Sequence, residues 1–107
     1  MKTMILALIA GAALLPACSK SPADRAADHT EAVADAQADA VRADAEQRAD
    51  TLEQHADAID TPGAPAANAQ AERLDDQADA LRRQAEARAD QIENTGEAKA
   101  DIQRKQQ

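Results

Sequence analysis

Alanine decides what this chain can become. Of its 107 residues 30 are Ala and none is Phe, Tyr or Trp, so a nominal hydrophobic content of 44% holds no side chain large enough to centre a conventional core. Beyond residue 17 the large aliphatic residues are only Val33, Val41, Leu52, Ile59, Leu74, Leu81, Ile92 and Ile102. Such scarcity alone borders on a disordered composition. The same stretch, however, carries 25 alanines, and the remainder is rich in Glu, Gln, Arg and Leu. These are the residues that lose least on entering a helix. The expected fold class is therefore all-α.

Local signals place the helices. Ser21 as N-cap, Pro22 at the first helical position and Asp24 three residues after the cap have the spacing of a capping box. Helix one is predicted over residues 22–60, behind a short tether at 18–21. Thr61-Pro62-Gly63-Ala64-Pro65 stops it, because neither proline can donate into the helical ladder. Residues 61–68 are read as a turn with Asn68 as a second N-cap, and helix two as running over 69–94. Thr95-Gly96 marks its expected end, leaving 95–107 as a polar C-terminal end of weak helicity.

An internal duplication relates the two helices. The segment Gln37 to Gln54 is repeated as Gln77 to Asn94, with 11 of 18 positions identical, and Arg42/Arg82, Arg48/Arg88, Glu46/Glu86 and Glu53/Glu93 coincide. Within each copy the apolar residues recur at steps of 3 and 4, the mark of one helical stripe. In helix one that stripe is Ala34, Ala38, Val41, Ala45, Ala49, Leu52, Ala56 and Ile59; in helix two it is Leu74, Ala78, Leu81, Ala85, Ala89 and Ile92. These residues are the expected helix interface, with Ala letting the axes approach closely and the larger residues acting as interlocking knobs. Two architectures satisfy the pattern: an antiparallel two-helix hairpin, or an extended coiled coil in which the turn is only a kink. Either is short of large buried side chains, so self-association or a covering partner is expected.

Charge narrows the function. Twelve basic and 20 acidic residues leave a net charge of −8, which repels phosphate backbones, and without aromatic residues no base can be stacked. No nucleic-acid partner is expected. His29 and His55 are far apart on one predicted helix, about 39 Å at 1.5 Å per residue, and cannot share a metal. Asp75, Asp76 and Asp79 sit on regular helix rather than in the Gly-turned loop that calcium requires. No phosphate-binding loop and no Gly-Xaa-Ser-Xaa-Gly motif is present. The expectation is a protein without catalysis, cofactor, metal or small-molecule substrate. The charges read instead as helix-surface pairs, Asp44 with Arg48, Asp101 with Lys105, Asp39 with Arg42 and Asp79 with Arg82.

The N-terminus reads as an address. Met1-Lys2-Thr3 is followed by an unbroken run from Met4 to Leu15 with nothing polar in it. That run is too short for a permanent span of about 20 residues and has the form of a secretory signal over 1–17. It ends in Leu15-Pro16-Ala17-Cys18, which resembles the lipobox of bacterial lipoproteins; Pro16 stands where a small or β-branched residue is commoner. The resemblance extends from Met1 to Cys18 and no farther. It implies cleavage between Ala17 and Cys18 and attachment of diacylglycerol to the Cys18 thiol, with a further acyl chain, typically palmitate, on the new amine. Two or more chains would hold the protein at a membrane, where one would not. Cys18 is the only cysteine, so no intramolecular disulfide competes for it. Ser19, rather than Asp, after the cysteine implies delivery to the outer membrane facing the periplasm; retention in the inner membrane is the other possibility.

In its lipobox, size and Ala-rich helical pattern the chain also loosely resembles the small murein-lipoprotein group of outer-membrane lipoproteins. Members attached to peptidoglycan end in lysine, whereas Lys105 here is followed by Gln106 and Gln107, so covalent attachment is not expected. The functional expectation is a lipid-anchored structural or scaffold lipoprotein. Two alternatives use the same residues: an adaptor that binds another envelope protein through its Ala stripe, and a disordered acidic tether.

Overall fold

The computed structural model describes residues 20–106, which form two helices in antiparallel contact, 91% helical and 66 Å long, with no strand. The first, α1, spans Pro22–Ile59 and the second, α2, Pro65–Lys105. Their 38 and 41 residues correspond to roughly 57 and 62 Å at 1.5 Å per residue, so each helix runs nearly the whole length of the molecule. The chain is a hairpin; neither the extended rod nor the disordered tether describes these residues.

Local chemistry starts and turns the hairpin. Ser21 Oγ accepts from the Asp24 N–H at 3.1 Å, and the Asp24 carboxylate accepts from the Ser21 N–H at 3.3 Å, which completes the capping box around Pro22. At the other end of α1 the Asp60 N–H still reaches the Ala56 carbonyl at 2.9 Å while its own backbone is already extended. Pro62 and Gly63 then turn the chain, with the Ala64 N–H on the Thr61 carbonyl at 3.1 Å. Gly63 has φ +83, the left-handed conformation that a type II turn demands after proline.

Helix two differs from expectation at both ends. It begins at Pro65, not Ala69, because a proline that cannot continue a helix is well suited to open one. Asn68 is therefore not the N-cap. It lies inside the first turn of α2, and its side-chain oxygen accepts from the Thr61 N–H at 3.1 Å, tying the helix back to the turn. The helix also runs through Thr95-Gly96 to Lys105 instead of ending at Asn94. Gly96 is buried at the inter-helix contact, and packing there outweighs its low helix propensity. Arg104 and Lys105 in the last turn complement the helix dipole.

The buried core is almost entirely alanine. In α1 it comprises Ala27, Ala34, Ala38, Ala45, Ala49 and Ala56, and in α2 Ala71, Ala78, Ala85, Ala89, Gly96 and Ala100. No Val, Leu or Ile is buried among the described residues. Val41, Leu52, Ile59, Leu74, Leu81 and Ile92, expected as interlocking knobs, are instead half-buried along the seam. The reason is geometric. Axes brought together by Ala–Ala and Ala–Gly contacts leave no room between them for a larger side chain, so the large residues lean over the side of the contact.

Candidate interaction surfaces

The contact between the helices has two sides of opposite chemistry. On one, half-buried charges recur at every eleventh position: Glu31, Arg42 and Glu53 along α1, and Arg82, Glu93 and Arg104 along α2. An eleven-position repeat closes three helical turns at about 3.67 residues per turn, close to the α-helical period, so such positions stay aligned along the contact. Because the helices are antiparallel, the three pairs share one register: 31 with 104, 42 with 93 and 53 with 82, each summing to 135.

Each arginine serves several carboxylates. Arg42 reaches Glu93 at 2.7 Å, Glu86 at 3.0 Å and Asp90 at 3.5 Å across the contact, and Asp39 at 3.5 Å on its own helix. Arg82 repeats the arrangement in the other direction, on Glu53, on Glu46 at 3.1 Å, on Asp50 at 3.4 Å and on Asp79 at 3.6 Å. The two clusters are images of one another under the internal duplication, and so the hairpin has a pseudo-two-fold axis between them. Arg104 holds the open end, 2.8 Å from Glu31, 3.3 Å from Asp28 and 3.4 Å from Asp101. Asp101 thus pairs with Arg104 rather than with Lys105. Beside this cluster the Thr30 hydroxyl donates to the Gln103 amide oxygen at 2.8 Å.

Electrostatics follow from those contacts. Hydrogen bonds from Arg42, Arg82 and Arg104 hold the carboxyls of Glu93, Glu53 and Glu31 below the usual range, against an opposing desolvation. Asp28 is lowered first by its hydrogen bond from Lys20 and further by Arg104. The three guanidinium groups are correspondingly raised by the same bonds. The groove on this side is lined by Glu31, Asp35, Glu93, Glu97 and Asp101, all carboxylates.

The opposite side is apolar with a cationic rim. Val41 and Leu81 lie together in one shallow groove bordered by Asp44, Arg48 and Arg88, and Leu52 joins Leu81 in the next. Nearer the open end, Val33 and Gly96 share a groove with His29 and Lys99. Asp44 and Arg48 pair with each other at 3.2 Å, while Arg88 and Lys99 have no ion pair among the described residues.

Of the residues expected at the helix interface, Ala34, Ala38, Ala45, Ala49, Ala78, Ala85 and Ala89 are buried. Val41, Leu52, Ile59, Leu74, Leu81 and Ile92 border that seam. The stripe read from the sequence does not include Ala27, Ala71, Gly96 or Ala100, and that reading places Arg42 and Arg82 in local surface pairs. The regular recurrence of Glu31, Arg42 and Glu53 with the inverse series Arg82, Glu93 and Arg104 was the signal that could have revealed the cross-helix ladder. Ala17 and Cys18, the expected cleavage and lipidation positions, lie outside the described residues. His29 and His55 are both exposed on α1. Among the described residues no group of His, Cys, Asp or Glu is arranged to hold a metal ion, and no helix is long and apolar enough to cross a membrane. Comparison with protein-family models, curated proteins and solved structures finds no match to this chain.

Proposed function

We propose that this chain is a lipid-anchored lipoprotein of a bacterial envelope, carried on Cys18 at the periplasmic face of the outer membrane, with a structural rather than catalytic role. The observation that carries the reading is the order of segments. An apolar run from Met4 ends at Leu15-Pro16-Ala17-Cys18, and a capped helix begins at Pro22, just beyond the cysteine. Acyl chains on Cys18 would place the start of α1 at the bilayer and leave a 66 Å hairpin as the functional body. A long, narrow element of this kind suits a spacer or scaffold.

The adaptor reading draws support from a separate feature. The Ala stripe that was to dock a partner is consumed within the hairpin, but Val41, Leu52 and Leu81 stay partly exposed in the grooves away from the ladder. An envelope partner would meet that face, not the alanines.

The test is the Cys18→Ala variant, followed by membrane fractionation and intact-mass measurement. The expected result is loss of the membrane-bound fraction together with the acyl mass, and a wild-type protein whose N-terminus is an acylated Cys18. An unaltered membrane fraction, or a wild-type mass without acyl groups, refutes the anchor.

A further inference from the structure

The hairpin divides its charges between two sides, and the apolar side is the one with cations to spare. Its grooves present Val33, Val41, Leu52 and Leu81 with Arg48, Arg88 and Lys99 against the single carboxylate Asp44. The other side offers a groove of five carboxylates and a ladder whose three arginines are each already held by several acids. None of the large aliphatic side chains reaches full burial within the described residues, so their transfer from water is incomplete in the hairpin alone.

A second copy is a poor occupant of this face. Two copies meeting through it would bring Arg48, Arg88 and Lys99 of each together with only one carboxylate, Asp44, per copy to offset them. One copy laid on the ladder of another would cover ion pairs with aliphatic groups and strip their water without replacing it. An anionic lipid surface meets both demands, since aliphatics enter the headgroup boundary while the rim cations meet phosphates. The chain's excess of carboxylates does not forbid this: apart from Asp44, which Arg48 pairs at 3.2 Å, those of the ladder and its groove lie on the other side, about 10 Å or one helix diameter away. That distance exceeds a Debye length of about 8 Å at physiological salt.

We propose that the hairpin lies along an anionic phospholipid surface through the Val41, Leu52 and Leu81 face, with Arg48, Arg88 and Lys99 on the headgroups and the acidic ladder turned to solvent. This rests on and deepens the envelope reading above: acyl chains on Cys18 retain the protein at the membrane, and the face, too weak to hold it alone, sets the posture of the hairpin on the lipid.

Because the chain contains no aromatic residue, a single introduced tryptophan reports without background. Full-length protein carrying Gln84→Trp, on the apolar side, or Asp35→Trp, on the acidic side, is mixed with vesicles of brominated phosphatidylglycerol or brominated phosphatidylcholine. The expected result is several-fold stronger quenching at position 84 than at 35 with phosphatidylglycerol. The difference should vanish with phosphatidylcholine, at about 0.5 M salt where the Debye length falls to about 4 Å, and in the Arg48→Gln/Arg88→Gln/Lys99→Gln variant with its helicity intact. Equal quenching at the two positions with phosphatidylglycerol overturns the proposal. So does a Gln84→Trp protein whose indole is buried without lipid and whose scattering mass is that of a dimer, which would make a second copy the occupant. Flotation with phosphatidylcholine vesicles reports the acyl anchor separately, so failure of the anchor and failure of the face are told apart.

Discussion

Replacing Gly96 with Ala should destabilise this hairpin, although the same change at almost any other helical glycine stabilises. Within a helix, Gly to Ala gains about 1 kcal/mol of propensity. Here a Cβ on residue 96 would overlap the Cβ of Ala34 more closely than real Cβ atoms come, with Ala34 Cα and the Thr30 carbonyl oxygen behind it, each at 3.8 Å. None of these is the free end of a flexible side chain, so relief requires the helix axes to separate locally, loosening the flanking Ala contacts. Overpacking of this kind costs roughly 1–3 kcal/mol, and subtracting the propensity gain leaves a net loss of about 1 kcal/mol, with a span of roughly 0–2. For a domain of this size that is a fall in Tm of about 4–8 °C, readable by far-UV circular dichroism. The reciprocal swap, Gly96→Ala with Ala34→Gly, moves the single Cβ from one helix to the other and should bring Tm back close to wild type. A rise in Tm of the Gly96→Ala variant alone would refute the reasoning, since it would show propensity acting with no second helix in the way.

Other consequences are tested in the same assay. Arg42→Glu should lower Tm, and adding Glu93→Arg should recover part of the loss, with full recovery prevented by Glu86 and Asp90 beside position 42; two losses that simply add would mean the cross-helix pair contributes nothing. Stability should fall with acid: Glu31, Glu53 and Glu93 titrate below the ordinary 4.5 in the folded chain, so their contribution is complete above that pH and drains as pH drops through the lower native values. A urea midpoint at pH 3 equal to or above that at pH 7 would contradict this. Gly63→Ala should cost about 1 kcal/mol, because an L-residue is strained at positive φ even though the space for a methyl is open; an unchanged midpoint would mean that the turn relaxes freely.

What could be read from the chain alone was whatever is decided within a few residues. Ser21, Pro22 and Asp24 declare a helix start because the donors and acceptors they satisfy are their own neighbours. Pro62-Gly63 breaks the helix for an equally local reason. The Ala stripe was legible because periodicity needs only one helix. Gly96 misled because its local cost is visible in sequence and its compensation is not: the reason for a missing side chain lies on the other helix, at Ala34. Asn68 misled in the same way, being a good cap in isolation but following a proline that had already opened the helix. The ladder was hidden longest, since pairing Arg42 with Glu93 requires knowing both direction and register before the charges can be matched.

The ladder also settles a question that the alanines leave open. Ala27, Ala38 and Ala49 recur at every eleventh position, as do Ala34, Ala45 and Ala56, and in α2 Ala78, Ala89 and Ala100. A displacement of one helix by that same repeat, three turns, therefore sets small residues against small residues again over most of the contact. The Pro62-Gly63 turn blocks that slip within one hairpin, but it places no such constraint on helices from different chains. The charges do. Moving the register by one repeat in one direction sets Arg42 opposite Arg82 and Glu31 opposite Glu93; in the other it sets Arg42 opposite Arg104 and Glu53 opposite Glu93. Either shift replaces half-buried opposite charges with like ones, a repulsion aimed at the alternatives that the alanine pattern would tolerate. The alternating sign of Glu31, Arg42 and Glu53 thus does for register what alanine cannot. It restricts this antiparallel pairing to one alignment whether the two helices belong to one chain or to two.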